Sequence, residues 1–107
     1  MISTHILDLE KGAPAGGVSV NLERLEGQDW QTVKSEKTNS DGRINFDVPM
    51  QAGDYRLTFA LQEYASSLGR EAFFLDVPVL FRIKDLNRNY HVPLLLSPFG
   101  YSTYRGS

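Results

Sequence analysis

Short stretches in which apolar and polar residues alternate recur along the chain, and they constrain the fold more than any other feature. The clearest is residues 55–61, YRLTFAL, where every second residue is large and apolar. A period of two residues is typical of a β-strand with one buried face. Clusters of turn-forming residues separate these stretches, the densest being Asn39-Ser40-Asp41-Gly42. We therefore expect a single all-β domain over residues 1–107.

The alternation predicts about eight strands and one short helix. The predicted strands are residues 2–9, 18–23, 30–38, 44–48, 55–61, 77–83, 90–96 and 101–104. Residues 11–17 are predicted to be a loop, and a phase slip at Arg24-Leu25 predicts a bulge or a strand end. Residues 62–69 break the alternation and are predicted to form a helix that Gly69 caps. Pro78 indicates an edge position or a strand start, and strands at this spacing favour a two-sheet sandwich.

Composition narrows the range of functions. The chain has 11 basic and 13 acidic residues, a net charge of -2 and no block of like charges, so we expect no nucleic-acid partner. It has no cysteine, which excludes thiol chemistry and disulfides. No close-spaced cluster of metal ligands is visible, and we expect no metal site. No apolar run is long enough to span a bilayer. With His5 so near the start we expect no signal peptide and a cytoplasmic location.

His5 and His91 are the two side chains whose ordinary pKa values put a change of charge near neutral pH. On its predicted strand His5 shares a face with Ser3 and Leu7, and the structural alternative is a partly buried histidine that bonds a backbone carbonyl. His91 is followed two residues later by Pro93, which cannot donate to a sheet ladder. Either the pairing is interrupted at Pro93 or the strand borders a cleft, and both favour a site near His91.

Arg43 and residues 90–107, YHVPLLLSPFGYSTYRGS, complete the candidates. Arg43 directly follows a tight turn, and its guanidinium offers a rigid fork of donors for an anionic or carbonyl-rich planar ligand. A solvated charge at a strand start is the alternative.

The aromatic residues near the end of 90–107 predict an ordered strand rather than a disordered tail. Ser107 offers a hydroxyl, with a frayed end as the alternative. The segment either shares one site with His91 or forms a hairpin that completes a sheet.

Three motifs stand out together: Ser3-Thr4-His5-Ile6-Leu7-Asp8, Thr38-Asn39-Ser40-Asp41-Gly42-Arg43, and residues 90–107 with the ending Tyr104-Arg105-Gly106-Ser107. They resemble the 5-hydroxyisourate hydrolases, the transthyretin-related enzymes of urate breakdown. Weaker similarity at residues 53–57 and 71–74 extends the resemblance over nearly the whole chain. The chain departs from the family pattern at Leu75, where members often carry proline. It also departs at Asn89, where histidine is common and where the change can alter hydrogen bonding next to His91.

The resemblance implies a transthyretin-like two-sheet β-sandwich that hydrolyses 5-hydroxyisourate to 2-oxo-4-hydroxy-4-carboxy-5-ureidoimidazoline by opening a cyclic amide. The catalytic residues that it implies are His5, Arg43, His91 and Ser107. The substrate-binding residues that it implies are Tyr104, Arg105 and Gly106. One histidine then removes a proton from water, and the other holds the substrate or acts as the acid. The resemblance also implies a homotetramer with sites at the interface between dimers, and no metal or organic cofactor.

Two other functions are compatible with such a sandwich. A transthyretin-like carrier would bind a small aromatic ligand in a channel between subunits, and an apolar channel does not need two histidines and an arginine. A structural domain would mediate contacts in a larger complex through a free edge strand, and it leaves the YRGS ending unexplained.

Overall fold

The computed structural model describes residues 1–106 and contains two β-sheets and one helix. Its strands are β1 (Ile2–Asp8), β2 (Ala13–Pro14), β3 (Ser19–Glu26), β4 (Asp29–Lys37), β5 (Arg43–Phe46), β6 (Gly53–Phe59), β7 (Val77–Ile83), β8 (Tyr90–Ser97) and β9 (Gly100–Thr103). The helix, α1, is Leu61–Ser67. The prediction of an all-β sandwich with one short helix is confirmed. Within the described residues, no helix is long and apolar enough to cross a membrane.

The two sheets differ in how their strands are paired. In the first, the order is β2-β1-β8-β9, and β5 pairs with the other half of the same edge of β1. Strands β1 and β8 run parallel, from Ile2 opposite Tyr90 to Asp8 opposite Leu96. The second sheet, with the order β4-β3-β6-β7, is antiparallel throughout. The parallel pair brings the start of the chain beside residues near its end.

The core lies between the sheets, and β1 shows how the alternation divides its residues. Ile2, Thr4 and Ile6 are fully buried, whereas the residues between them are only half-buried. The one polar member, Thr4, donates its hydroxyl to the Val92 carbonyl at 2.7 Å, which satisfies it inside the core. Because successive side chains point to opposite faces, His5 lies on the outer face of the first sheet.

Two local predictions were wrong. Residues 11–17 are not all loop, since Ala13 and Pro14 form β2 against β1. The reversal is possible because Gly12, at φ 69°, takes a conformation that other residues rarely adopt, and its amide donates to the Asp8 carbonyl at 2.8 Å. Strand β3 neither ends nor bulges at Arg24-Leu25. The register shifts at Leu22/Glu23 because β4 carries one extra residue, Val33, between the partners of those two.

The remaining boundaries agree closely with the pattern. Leu61, predicted as the end of a strand, instead begins α1, where it is buried. Gly69 follows the helix at φ 67° and donates to the Ser66 carbonyl, as expected of a capping glycine. Pro78 lies in β7, an edge strand, which confirms the edge position. The last strand is Gly100–Thr103, one residue earlier than predicted.

Candidate active site

The candidate site lies on the outer face of the first sheet, where β1 runs between β5 and β8. The register places His5 opposite Arg43 on β5 and opposite Pro93 on β8. Two residues earlier on β1, Ser3 lies opposite His91. Side chains on one face that are paired or diagonal across neighbouring strands are within reach of one another. The fold therefore brings His5, Arg43 and His91 together.

Arg43 is positioned by the turn that precedes it. The Asn39 side-chain oxygen accepts hydrogen bonds from the amides of Asp41 at 2.9 Å and Arg43 at 3.0 Å. Gly42 has φ 72°, its carbonyl accepts from the Ile6 amide at 2.8 Å, and a Cβ on it would lie 2.5 Å from the Ile6 carbonyl oxygen. Only glycine permits this close approach. The turn is thereby docked on β1, and Arg43 begins β5 beside His5.

His91 is held on both sides of its imidazole ring. The Ser3 Oγ lies 2.8 Å from Nδ1. At the other side, the Gly106 amide donates to the His91 carbonyl at 2.8 Å, and a Cβ on Gly106 would lie 2.5 Å from Cδ2. The ring occupies the space that a side chain at position 106 would need. This contact explains why the YRGS motif carries glycine at that position.

The interruption predicted at Pro93 is confirmed on one side of β8. Toward β1 the register runs through Pro93 without a break. Toward β9 the ladder stops at Leu94 opposite Thr103 and returns as a single bridge between His91 and Gly106. The Thr103 hydroxyl donates to the Pro93 carbonyl at 2.7 Å. The chain is thus ordered against β8 as far as Gly106.

The residues of the YRGS motif point in different directions. Counting from the Leu94–Thr103 pair to the His91–Gly106 bridge places the exposed Tyr104 opposite Pro93, on the face that carries the histidines. The Arg105 guanidinium instead lies over the Tyr90 ring, 5.0 Å from its centroid, in a cation–π contact. Arg105 is therefore not brought together with His5 and Arg43. Ser107 lies outside the described residues.

Burial and a nearby cation keep both histidines neutral. Burial lowers the pKa of His5 and Arg43 lowers it further, while the Asp41 backbone and carboxylate act in the opposite direction. Burial likewise lowers the pKa of His91, followed by the charge of Arg43 and the proximity of His5. A pKa below 6.5 leaves each imidazole uncharged near pH 7. Each ring can then donate one hydrogen bond and accept another.

Ser3 is the residue of the site to which the sequence assigned no role. It was noticed only as a neighbour of His5 on one strand face. Its contact with His91 joins residues 88 positions apart and requires β1 and β8 to be parallel neighbours. No local pattern carries that information.

As for metals, the described residues 1–106 contain no group of three or more histidine, cysteine, aspartate or glutamate side chains placed to hold an ion.

A two-sheet sandwich with two neutral histidines and an arginine on the outer face of one sheet defines a transthyretin-like protein equipped for acid–base chemistry. The chain belongs to the HIUase/Transthyretin family, whose profile matches residues 2–106. It is 46% identical over 110 residues to a 5-hydroxyisourate hydrolase of Salmonella dublin, an alignment that covers 100% of this chain and 81% of that one.

Two solved structures match the fold closely. The 5-hydroxyisourate hydrolase of Klebsiella pneumoniae superimposes with a TM-score of 0.87 at 42% identity, covering 99% of this chain and 98% of that one. Sea bream transthyretin in complex with thyroxine superimposes with a TM-score of 0.91 at 30% identity, covering 98% and 93% of the two chains. The predicted transthyretin-like fold is confirmed.

Proposed function

We propose that this protein hydrolyses 5-hydroxyisourate, opening a cyclic amide to give 2-oxo-4-hydroxy-4-carboxy-5-ureidoimidazoline. The observation that carries the proposal is the placement of His5, Arg43 and His91 on one sheet face, where burial and then the charge of Arg43 lower the pKa of both imidazoles. The relatives from Salmonella and Klebsiella are named for this substrate, which supports its choice.

Opening a cyclic amide makes three chemical demands. Water must lose a proton as it attacks the carbonyl carbon, the oxyanion that forms must be stabilised, and the leaving ring nitrogen must gain a proton. A neutral histidine with a pKa not far below the working pH is suited to take a proton and return it. In this proposal one of His5 and His91 performs the proton transfers, and the other holds the substrate. No covalent intermediate is needed.

Arg43 is proposed to bind the carbonyl-rich ring and to stabilise the developing negative charge. Its side chain is exposed on the open face of the sheet, and its backbone is fixed by the turn at Asn39 and Gly42. A cation fixed in place before reaction stabilises the oxyanion without a further cost of reorganisation. The same charge lowers the pKa of both histidines, so that one residue serves binding and proton transfer together.

The YRGS motif is proposed to close one end of the pocket. Gly106 leaves room for the His91 ring, and the Tyr104 position faces the same side of the sheet. Ser107 as a catalytic residue that positions water or substrate stays a prediction. Arg105, through its contact with the Tyr90 ring, would hold the segment in place.

A homotetramer with its sites between dimers belongs to the same proposal. Phe73, Phe74, Phe99 and Tyr101 form an exposed cluster of edge-to-face aromatic contacts beside edge strand β9. An exposed apolar patch beside a free strand edge is typical of a subunit interface. The half-buried outer face that carries His5 would then be covered by a second dimer.

A cytoplasmic location stays a prediction, which cell fractionation would test.

A coupled absorbance assay tests the proposed reaction. Urate oxidase generates 5-hydroxyisourate in the cuvette, and its decay is followed with and without the protein. We expect faster decay that is lost in His5→Ala and Arg43→Ala and kept in Arg82→Ala, which removes an exposed arginine from the second sheet. Decay at the spontaneous rate from a folded sample would instead favour the transthyretin-like carrier, and ligand binding would then be screened.

A further inference from the structure

The contacts of the His91 ring distinguish its two nitrogens. Nδ1 lies 2.8 Å from the Ser3 hydroxyl oxygen, and Cδ2 lies against the Gly106 backbone. Within residues 1–106, Nε2 makes no hydrogen bond, and the edge formed by Nε2 and Cε1 is the one that can meet a ligand. Nε2 is therefore the nitrogen available to a substrate, and what it offers depends on which nitrogen carries the proton.

We propose that Ser3 is a positioning residue whose hydroxyl donates a hydrogen bond to Nδ1 of His91, so that the neutral ring carries its proton on Nε2. The distance of 2.8 Å is typical of a bond donated by a hydroxyl, whereas bonds donated by a ring N–H are on average somewhat longer. Within residues 1–106, Nδ1 is also the only hydrogen-bond partner of this hydroxyl. Donation from the Ser3 hydroxyl to Nδ1 gives the hydroxyl proton an acceptor and gives Nδ1 a donor.

This assignment rests on the proposed function and divides the work between the two histidines. With a proton on Nε2, His91 donates a hydrogen bond to the carbonyl oxygen under attack and to the oxyanion that replaces it. His5 then takes the proton from water as the oxygen attacks the carbonyl carbon. When the C–N bond breaks, His5 returns that proton to the leaving nitrogen. The proton count balances, and His91 stays neutral throughout.

The surroundings of His91 set the expected effect of removing Ser3. Among residues 1–106, the charged and titratable groups that shift its pKa are Arg43 from β5 and His5 from β1, and both lower the pKa after burial, the largest cause. On the β9 side, Arg105 lies over Tyr90, and Tyr104 lies opposite Pro93. A hydroxyl that donates to Nδ1 stabilises the neutral ring and lowers the pKa further. Removal of this hydroxyl should raise the pKa of His91 and allow either ring nitrogen to carry the proton of the neutral imidazole.

Nuclear magnetic resonance tests the tautomer independently of turnover. Long-range ¹H–¹⁵N correlation spectra of the labelled full chain show which imidazole nitrogen is protonated. In the parent protein we expect the Nε2–H tautomer of His91. In Ser3→Ala we expect a tautomer mixture and a higher pKa on titration, and in Ser3→Thr, which keeps the hydroxyl, parent behaviour. Ser35→Ala, which removes a serine hydrogen bond to Asn21 in the second sheet, is the matched control.

Two spectroscopic outcomes would overturn the proposal: an Nδ1–H tautomer in the parent protein, or an unchanged tautomer and pKa in Ser3→Ala. The parent spectrum decides alone if Ser3→Ala fails to fold. Because these spectra need no substrate, a protein that shows the Nε2–H tautomer but does not hydrolyse 5-hydroxyisourate would refute the proposed function and leave the role of Ser3 standing.

Kinetics provides the second test. We expect Ser3→Ala to lower kcat on the order of tenfold, by analogy with metal-bound histidines, where loss of the orienting partner costs about 10- to 100-fold. Ser3→Thr, which keeps the hydroxyl, should restore kcat. Equal losses of kcat in Ser3→Ala and Ser3→Thr would show that Ser3 only packs the strand.

Discussion

Gly106 and His91 are in direct contact: the Gly106 amide donates to the His91 carbonyl at 2.8 Å, and the imidazole fills the space that a Cβ on Gly106 would need. A backbone bond and a side-chain contact thus fix the same histidine. Because Gly106 lies beyond the last strand, the geometry of the site depends on a segment that contributes little to the core.

We expect Gly106→Ala to impair turnover much more than folding. The new Cβ would meet Cδ2 at 2.5 Å and Cγ at 3.2 Å, so the ring and the backbone at position 106 must move apart. A misplaced catalytic group typically costs about a hundredfold in rate. The measurement is kcat together with the melting temperature. Gly100→Ala is the control, because a Cβ there meets only the Ser97 hydroxyl at 3.5 Å, and equal activity of the two variants would contradict the role of this contact.

Removal of residues 104–107 should also cost activity more than stability. The deleted segment contacts β8 through the His91–Gly106 bridge and the Arg105–Tyr90 stacking, whereas the core residues lie between the sheets. Activity and thermal unfolding of the truncated chain are the measurements. A truncated protein that is unfolded at room temperature would show that the segment is structural.

Arg43→Gln should move the acidic limb of the pH profile to higher pH as well as lower kcat/KM. Burial and the Arg43 charge both lower the pKa of His5 and His91, so removal of the charge raises both values. The histidine proposed as the base then becomes protonated, and inactive, at a higher pH than in the parent. Arg43→Lys keeps the charge and should keep the limb in place. If the glutamine and lysine variants have the same profile, the electrostatic role of Arg43 is wrong.

Tyr64→Phe should destabilise the fold by about 1.5–3 kcal/mol, the usual value for a hydrogen bond to a charged group. The Tyr64 hydroxyl donates to the Asp8 carboxylate at 2.8 Å, and Asp8 is only 1% exposed. Burial, followed by this bond, raises the pKa of Tyr64 to about 12. Urea denaturation at pH 7 measures the change. Tyr101→Phe, which removes the hydroxyl of an exposed tyrosine on β9, should leave stability unchanged.

The Asp8 carboxylate should also make stability fall in acid. Burial alone would raise its pKa, but the hydrogen bonds from Tyr64, Arg70 and the Lys11 amide outweigh burial and lower the pKa below 3.8. A group whose pKa is lower in the folded state stabilises the protein above its unfolded pKa, and the stabilisation is lost as pH falls through the folded value. Unfolding free energies from pH 7 to pH 2 should show this loss, and Asp8→Asn should reduce the slope.

Phe99→Glu should dissociate the proposed tetramer. Phe99 is 79% exposed and contacts Phe73 at a centroid distance of 5.9 Å, within the aromatic cluster beside β9. A charge there would have to lose its water in any interface that buries the cluster. Sedimentation velocity measures the assembly, and Val33→Glu on β4 is the control. A Phe99→Glu protein that sediments like the parent would place the interface elsewhere.

The sequence by itself determined most of the strands, the helix and the main turns of this protein. Alternation in residues 55–61, the turn at Asn39–Gly42 and the capping Gly69 are local signals, because each depends on neighbours in the chain. Family resemblance added His5, Arg43 and His91 as residues of one site. The same local reading missed β2, whose two residues form a strand only because β1 lies alongside them.

Tertiary structure decided which strands are neighbours, and hence what the side chains touch. The bulge was misplaced because the extra residue, Val33, lies in the partner strand rather than in the strand whose pattern slipped. The contact between Ser3 and His91 exists because β1 and β8 pair in parallel across 88 positions. Periodicity reports which face of a strand is buried. The pairing and register of strands depend on packing between distant segments, and it is pairing and register that set the geometry of this site.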